Sequence, residues 1–224
     1  MKREETKFYL GTILVLMSYY LIFNLVVRLE FIDQLSDFGF YGIQILLIII
    51  EGIAATVVLV KSQRWKEYGR FQFRWSYLGI FFLSFILMFL WVNITTRIFP
   101  STQNGSAIKE TVANLTGISY FVTRILYGSL IAPIVEELVF RGLLMTALSK
   151  FKKYYIDVTI SSTLFSLIHV LQYGLVLTDF IVYAGAGLLL CMLFRYTRSI
   201  YWSMALHILW NSFLIIVSLL VFGY

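Results

Sequence analysis

The sequence predicts an all-α polytopic membrane protein, with about seven transmembrane helices, or eight if one long segment divides, enclosing an intramembrane polar cavity. Three observations carry this. Hydrophobic residues make up 60% of the 224 and charged residues only 13%. The mean hydropathy of +0.84 lies outside the range of soluble domains. Apolar runs long enough to cross a bilayer, about 20 residues each, recur along the whole chain, and basic residues fall in short clusters between them.

The spans read as 8–27, 40–60, 77–98, 119–149, 154–173, 179–195 and 200–222. The apolar run that begins at Phe8 is too long for the core of a signal peptide, and no small-residue cleavage site follows it, so it reads as a retained span. The fourth segment is too long for one straight crossing and contains Pro133, which removes a backbone donor. A kink or break there is expected: either an interfacial helix over 112–131 leading into a span over 132–149, or two spans. Two prolines in the chain leave little room for linkers. The organisation therefore reads as one membrane domain over 1–224, with a motif-bearing core about 118–222 and three N-terminal spans about 8–98.

Charge placement sets orientation. With the N-terminus cytoplasmic, inner segments hold thirteen basic residues, including Lys61, Arg64, Lys66, Arg70, Arg74, Lys150, Lys152, Lys153, Arg195 and Arg198. Outer segments hold three: Arg28, Arg97 and Lys109. That asymmetry places the C-terminus outside, and with it a mobile outer loop over Ser101–Ser106. The net charge of +6 therefore marks a membrane face and implies no nucleic-acid partner. The cluster 61-KSQRWKEYGRFQFRW-75 suits anionic headgroups, making membrane lipids a partner. Cys191, the single cysteine, reads as a small buried hydrophobe. Nothing in the sequence sets the oligomeric state.

Ionisable groups at mid-membrane cost at least ~2.5–3.5 kcal/mol each and mark function by default. The stretch 133-PIVEELVFRG-142 carries three of them, Glu136, Glu137 and Arg141. Both histidines of the chain, His169 and His207, also fall in spans, and Asn211 shares a helix face with His207. At 1.5 Å per residue, these groups lie about 14–24 Å from the cytoplasmic clusters, so one slab about 10 Å deep can hold them all. Interhelical glue explains a lone polar residue in a span; polar groups from three helices at one depth suggest a shared, water-reachable cavity.

Spacing separates roles. Glu137 and Arg141, at i and i+4, suit an intrahelical ion pair that supports the site. Glu136 points about 100° away and is left for chemistry, because a carboxylate in a partly desolvated cavity is suited to take a proton from water. His169 would orient that water or share the proton, and His207 with Asn211 would bind an oxyanion. The alternative uses the same atoms: Glu136, His169 and His207 form an acceptable three-ligand set for catalytic zinc. The cofactor expectation is thus none or zinc. Glu51, within the second span, is either a paired structural carboxylate or a further group lining the cavity. The run Ala184-Gly185-Ala186-Gly187 permits close helix packing.

At these residues the chain resembles the CPBP family of intramembrane proteases. That family includes the CAAX prenyl endopeptidases and the bacterial Abi proteins tied to bacteriocin processing and self-immunity. Its motifs E-E-x-x-x-R, F-x-x-x-H and H-x-x-x-N/D stand here as 136-EELVFR-141, 165-FSLIH-169 and 207-HILWN-211, in the family's order. The resemblance covers about 130–211. It implies that Glu136, His169, His207 and Asn211 line the catalytic site, with Glu137 and Arg141 supporting it. It also implies an endopeptidase, glutamate-dependent or metal-dependent, that acts on a peptide or protein tail. Few prolines and many Ile, Phe, Lys and Tyr suggest an AT-rich bacterium, hence a bacterial cytoplasmic membrane and substrates such as bacteriocin leaders rather than prenylated tails. The rival reading is a non-proteolytic scaffold or immunity factor that binds a sensor kinase, an exporter or a bacteriocin.

Overall fold

A computed structural model describes residues 2–24, 37–99, 117–171 and 174–222, with 29, 35, 102, 103, 106, 107, 110 and 115. Arg28, Lys109 and, in the outer loop, Ser101, Asn104 and Gly105 lie outside the described residues. Among the described residues the fold is all helical. The helices are α1 (Lys2–Asn24), α2 (Asp37–Lys61), the short α3 (Trp65–Tyr68), α4 (Trp75–Ile98), α5 (Gly117–Met145), α6 (Ile156–Leu171), α7 (Leu177–Thr197) and α8 (Ile200–Phe222).

Every expected span corresponds to a helix, but helix length and apolarity alone carry fewer crossings than seven. Among the described residues five helices are long and apolar enough to cross a bilayer: α2 from Gly39, α4, α5, α7 and α8. The other two fall short for different reasons. In α6, 16 residues give about 24 Å against a hydrocarbon core of about 30 Å. In α1 the first turns carry Arg3, Glu4, Glu5 and Lys7, which shortens its apolar reach.

The molecule is apolar outside and polar inside. The outer faces expose Leu10, Ile13, Leu14 and Met17 on α1, Leu46, Ile49, Ile50 and Ile53 on α2, and Phe82, Leu83 and Ile86 on α4. Glu51, Glu136, Glu137, Arg141 and His207 are buried. So extensive an apolar surface matches lipid rather than water, and the chain is an integral membrane protein.

Of the kink or break expected at Pro133, the break does not occur. Helix α5 runs through it by changing pitch. Phe121–Ile131 and Leu138–Met145 are wide π-helical turns, and Ala132–Glu137 between them is α-helical. At the end of the first wide run the Ala132 N–H reaches back five residues to the Tyr127 carbonyl. In the same register the next carbonyl, that of Gly128, would await an N–H that Pro133 lacks. Asn211 on α8 supplies one instead, its Nδ2 lying 2.8 Å from the Gly128 oxygen. The proline is thus absorbed by a neighbouring helix, as membrane helices allow.

Small residues bring α7 close to its neighbours. A Cβ on Gly187 would stand 3.2 Å from Ser162 Cα of α6 and 3.1 Å from the Phe165 ring. A Cβ on Gly185 would fall 1.9 Å from Trp91 Nε1 of α4, the atom that donates to the Ile181 carbonyl at 3.0 Å. Gly185→Ala must displace that indole and break its hydrogen bond. We expect a loss of about 1–3 kcal/mol, read as a lower unfolding temperature in detergent.

Candidate active site

The site is assembled around the α-helical turn of α5, between its two wide stretches. Such π segments recur at functional sites. Here the turn sends Glu136 and Glu137 in different directions. Glu137 is fully buried, and its Oε1 accepts from Arg141 Nη1 at 2.9 Å and from His207 Nδ1 at 3.0 Å. Arg141, also fully buried, donates through Nη2 to the Gly187 carbonyl at 3.0 Å and lies over the Phe165 ring at 4.7 Å. The buried pair therefore joins α5 to α7 and, through His207, to α8.

Glu136 faces the two imidazoles. Its Oε2 lies 3.6 Å from His207 Nε2 and 3.9 Å from His169 Nε2. The partners of the opposite ring nitrogens fix the tautomers. His169 Nδ1 lies 2.8 Å from the Phe165 carbonyl, and a carbonyl only accepts, so this nitrogen carries the hydrogen. The Glu137 carboxylate assigns the Nδ1 hydrogen of His207 in the same way. In the neutral rings both Nε2 atoms then present lone pairs to Glu136. Three acceptor atoms converge at separations too long for a direct hydrogen bond and short enough for one shared donor, such as a water.

Aromatic packing holds the rings. Tyr183 stacks on His169 with centroids 4.4 Å apart. Phe165 lies against His169 at 4.5 Å and against His207 at 5.7 Å. The phenylalanine of F-x-x-x-H thus does three things: it presents its carbonyl to one histidine, packs on both, and covers the guanidinium.

The cluster is compact rather than an open cavity. Glu136 is 6% exposed and His207 5%, while the His169 side chain, at 22%, is the more accessible of the two imidazoles. Two clefts of about 340 Å³ lie elsewhere, one apolar between α2 and α5 and one between α3, α4 and the α7–α8 turn.

Asn211 does not face the imidazoles through its described contact; its amide donates to Gly128 on the α5 wide turn. Beside it Ser129 and Ser212 share a hydrogen bond at 2.6 Å. Asn211→Ala would orphan the Gly128 carbonyl, and a loss of about 1–3 kcal/mol is expected, measured as thermal stability in detergent. Ser162 and Ser166, which share the His169 face, donate to the Val158 and Phe180 carbonyls.

One residue near the acid carries no sequence signal. Tyr19 of α1, 1% exposed, lies near enough to Glu136 to interact with it electrostatically and packs edge-on against Phe140 at 6.0 Å. Tyr127 and Glu51 are close enough to interact with it electrostatically. Glu51 is 3% exposed, and its Oε2 has no hydrogen-bond partner. A tyrosine in an apolar run, one of fifteen in the chain, could have been singled out only by knowing which helix α1 packs on.

The metal alternative can be tested on this geometry. Zinc bonds of about 2.0–2.1 Å in a tetrahedral site place ligand atoms roughly 3.3–3.4 Å apart. The separations of 3.6 and 3.9 Å are wider. Among the described residues no group of three His, Cys, Asp or Glu is arranged to hold a metal ion. The residues as placed do not form a preformed zinc set.

Known proteins share this arrangement of sequence. The family model described as Type II CAAX prenyl endopeptidase Rce1-like matches residues 118–213, the segment from α5 to α8 that carries Glu136, His169 and His207. The chain is 27% identical over 233 residues to the membrane-embedded CAAX protease MroQ of Staphylococcus aureus (strain USA300), covering 94% of this chain and 88% of that one. It is 31% identical over 147 residues to the UPF0177 protein YvdC of Lactococcus lactis subsp. lactis (strain IL1403), covering 62% of this chain and 52% of that one. It is 27% identical over 115 residues to YdiL of Bacillus subtilis (strain 168), provisionally named a membrane peptidase, covering 51% of this chain and 45% of that one. The chain thus spans most of MroQ and about half of the other two. No solved structure matches. Over the matched segment, which carries the three ordered motifs, the chain is similar to CAAX protease-like membrane proteins.

Proposed function

We propose that this protein is an intramembrane endopeptidase that hydrolyses a peptide or protein tail with water activated by Glu136. The observation that carries the reading is the convergence of Glu136 Oε2 with the Nε2 atoms of His169 and His207. A water set between them donates its two hydrogens to Glu136 and His169. Glu136 takes a proton from that water as its oxygen attacks the scissile carbonyl carbon. His169 Nε2 accepts from the water's second hydrogen and aims it. His207, as an imidazolium backed by Glu137, donates from Nε2 to the developing oxyanion. Collapse breaks the C–N bond, and the proton held by Glu136 passes to the leaving amine. Tyr19, buried close by, turns its hydroxyl to the carboxylate as it charges and holds it.

The site lies in the bacterial cytoplasmic membrane, with the N-terminus cytoplasmic and seven crossings in which α1 and α6 take part. Processing of bacteriocin leaders or similar peptides, or self-immunity, is the physiological role this chemistry suits. The test reconstitutes purified protein with a panel of single-span reporter peptides, with and without chelator, alongside metal analysis. Cleavage that survives chelation in metal-free protein is expected. Cleavage lost on chelation and restored by zinc would replace glutamate catalysis with the metal alternative. Biological function retained by Glu136→Gln would favour a scaffold. Tyr19→Phe should lower kcat about tenfold and leave KM unchanged, since it removes one hydrogen bond to a charged group.

A further inference from the structure

The cytoplasmic end of the bundle carries a second polar site, unrelated to the glutamate cluster. It is a cleft of about 340 Å³ lined by Arg70, Gln72, Arg74 and Arg198, with Glu67 and Tyr77 on its walls. Three guanidiniums face one carboxylate, a surplus of two positive charges.

The sequence builds the cleft by strand-like alternation. Residues 70–74 are non-helical, and Arg74 has extended dihedrals, φ −143° and ψ 141°. Side chains of an extended segment alternate between faces. In 70-RFQFRW-75 the even positions, Arg70, Gln72 and Arg74, all line the cleft. The odd positions are Phe71, Phe73 and Trp75. Phe71 stacks on Trp202 of α8 at 5.5 Å, Phe73 lies 6.4 Å from the same ring, and Trp202 Nε1 donates to the Gln72 carbonyl at 3.0 Å. The segment is therefore pinned, and its polar face is held inward to the cleft. Arg198 arrives from the α7–α8 turn in the left-handed conformation, φ 51°, paired with Glu67. Arg74 lies over the Tyr77 ring at 5.3 Å.

Depth identifies the occupant. Trp75 begins α4 and Ile200 begins α8, two membrane-crossing helices, so the cleft sits where hydrocarbon gives way to headgroups. Phe71, Phe73 and Trp75 remain 61%, 53% and 79% exposed beside it, aromatic rings at the level where interfacial belts form. Guanidiniums favour phosphate, which they grip with paired donors.

We propose that this cleft binds the phosphate of an anionic membrane phospholipid through Arg70, Arg74 and Arg198. The lipid's acyl chains lie along α4 and α8, and the site anchors the cytoplasmic end of the bundle independently of any peptidase activity.

The test is native mass spectrometry of the purified protein with phosphatidylglycerol, with phosphatidylcholine of the same chains, and with soluble glycerol phosphate. Wild type should retain phosphatidylglycerol over phosphatidylcholine. Arg70→Gln/Arg74→Gln should lose that preference by more than about tenfold, as expected for two interfacial charges. Arg198→Asn, which suits the left-handed backbone, should lose it as well. Lys152→Gln/Lys153→Gln removes the same charge from the neighbouring turn, outside the cleft, and should retain the preference within about twofold. Unfolding temperatures establish that each variant is folded; should Arg198→Asn fail, the exposed Arg70/Arg74 pair decides. Three results would each overturn the proposal: no preference in wild type, equal loss in the lysine control, or glycerol phosphate competing as well as the lipid.

Discussion

Glu136→Gln is expected to abolish peptide hydrolysis, lowering kcat by about a hundred- to ten-thousandfold, the range for losing a general base. Glutamine keeps the side chain's shape and one acceptor oxygen. Its amide replaces an acceptor with a donor beside the imidazole Nε2 atoms, which lie 3.6 and 3.9 Å from the carboxylate oxygen. The variant should therefore fold as well as wild type, with an unchanged or higher unfolding temperature, and KM should change little. Lost activity with retained stability separates chemistry from architecture. Activity within about threefold of wild type would remove Glu136 from the mechanism.

Arg141→Met carries the largest expected effect on stability. Arg141 and Glu137 are both fully buried. Removing one member of such a pair leaves the other charge uncompensated and costs about 3–5 kcal/mol. His207 Nδ1 would remain as a partner of Glu137, while the link from Arg141 to Gly187 of α7 would be lost. Glu137→Gln should cost less, because an amide still accepts from both partners. Denaturation in mixed micelles checks the order. A loss below about 1 kcal/mol for Arg141→Met would mean that the pair does not hold α5 to α7.

What was legible in the sequence is what helical spacing governs. The interval from Glu137 to Arg141 sets their ion pair and turns Glu136 away from it. Apolar runs located the helices, and the small residues of α7 marked close packing, now explained by the contacts of Gly185 and Gly187. What was not legible depends on which helices touch. Tyr19 reaches Glu136 only because α1 packs against α5. The second partner of Glu137, His207, lies seventy residues away. Pro133 predicted a kink or break, and the helix stays continuous through wide turns, with Asn211 taking the carbonyl that the proline leaves. A single-helix reading cannot contain that compensation, since its donor belongs to α8. Of the seven expected spans, five are long and apolar enough to cross by those criteria among the described residues; α6 stops after 16 residues, and α1 spends its first turns on charge.

In the proposed mechanism solvent is the nucleophile, and the Glu136 carboxylate never bonds to substrate. Single-turnover cleavage of a reporter peptide in oxygen-18 water, with enzyme in excess, tests this most directly. The prediction is that the new carboxyl terminus carries solvent label in the first turnover, and that Glu136→Gln forms no product. Unlabelled product carrying oxygen from the protein, or cleavage persisting in Glu136→Gln, would contradict it.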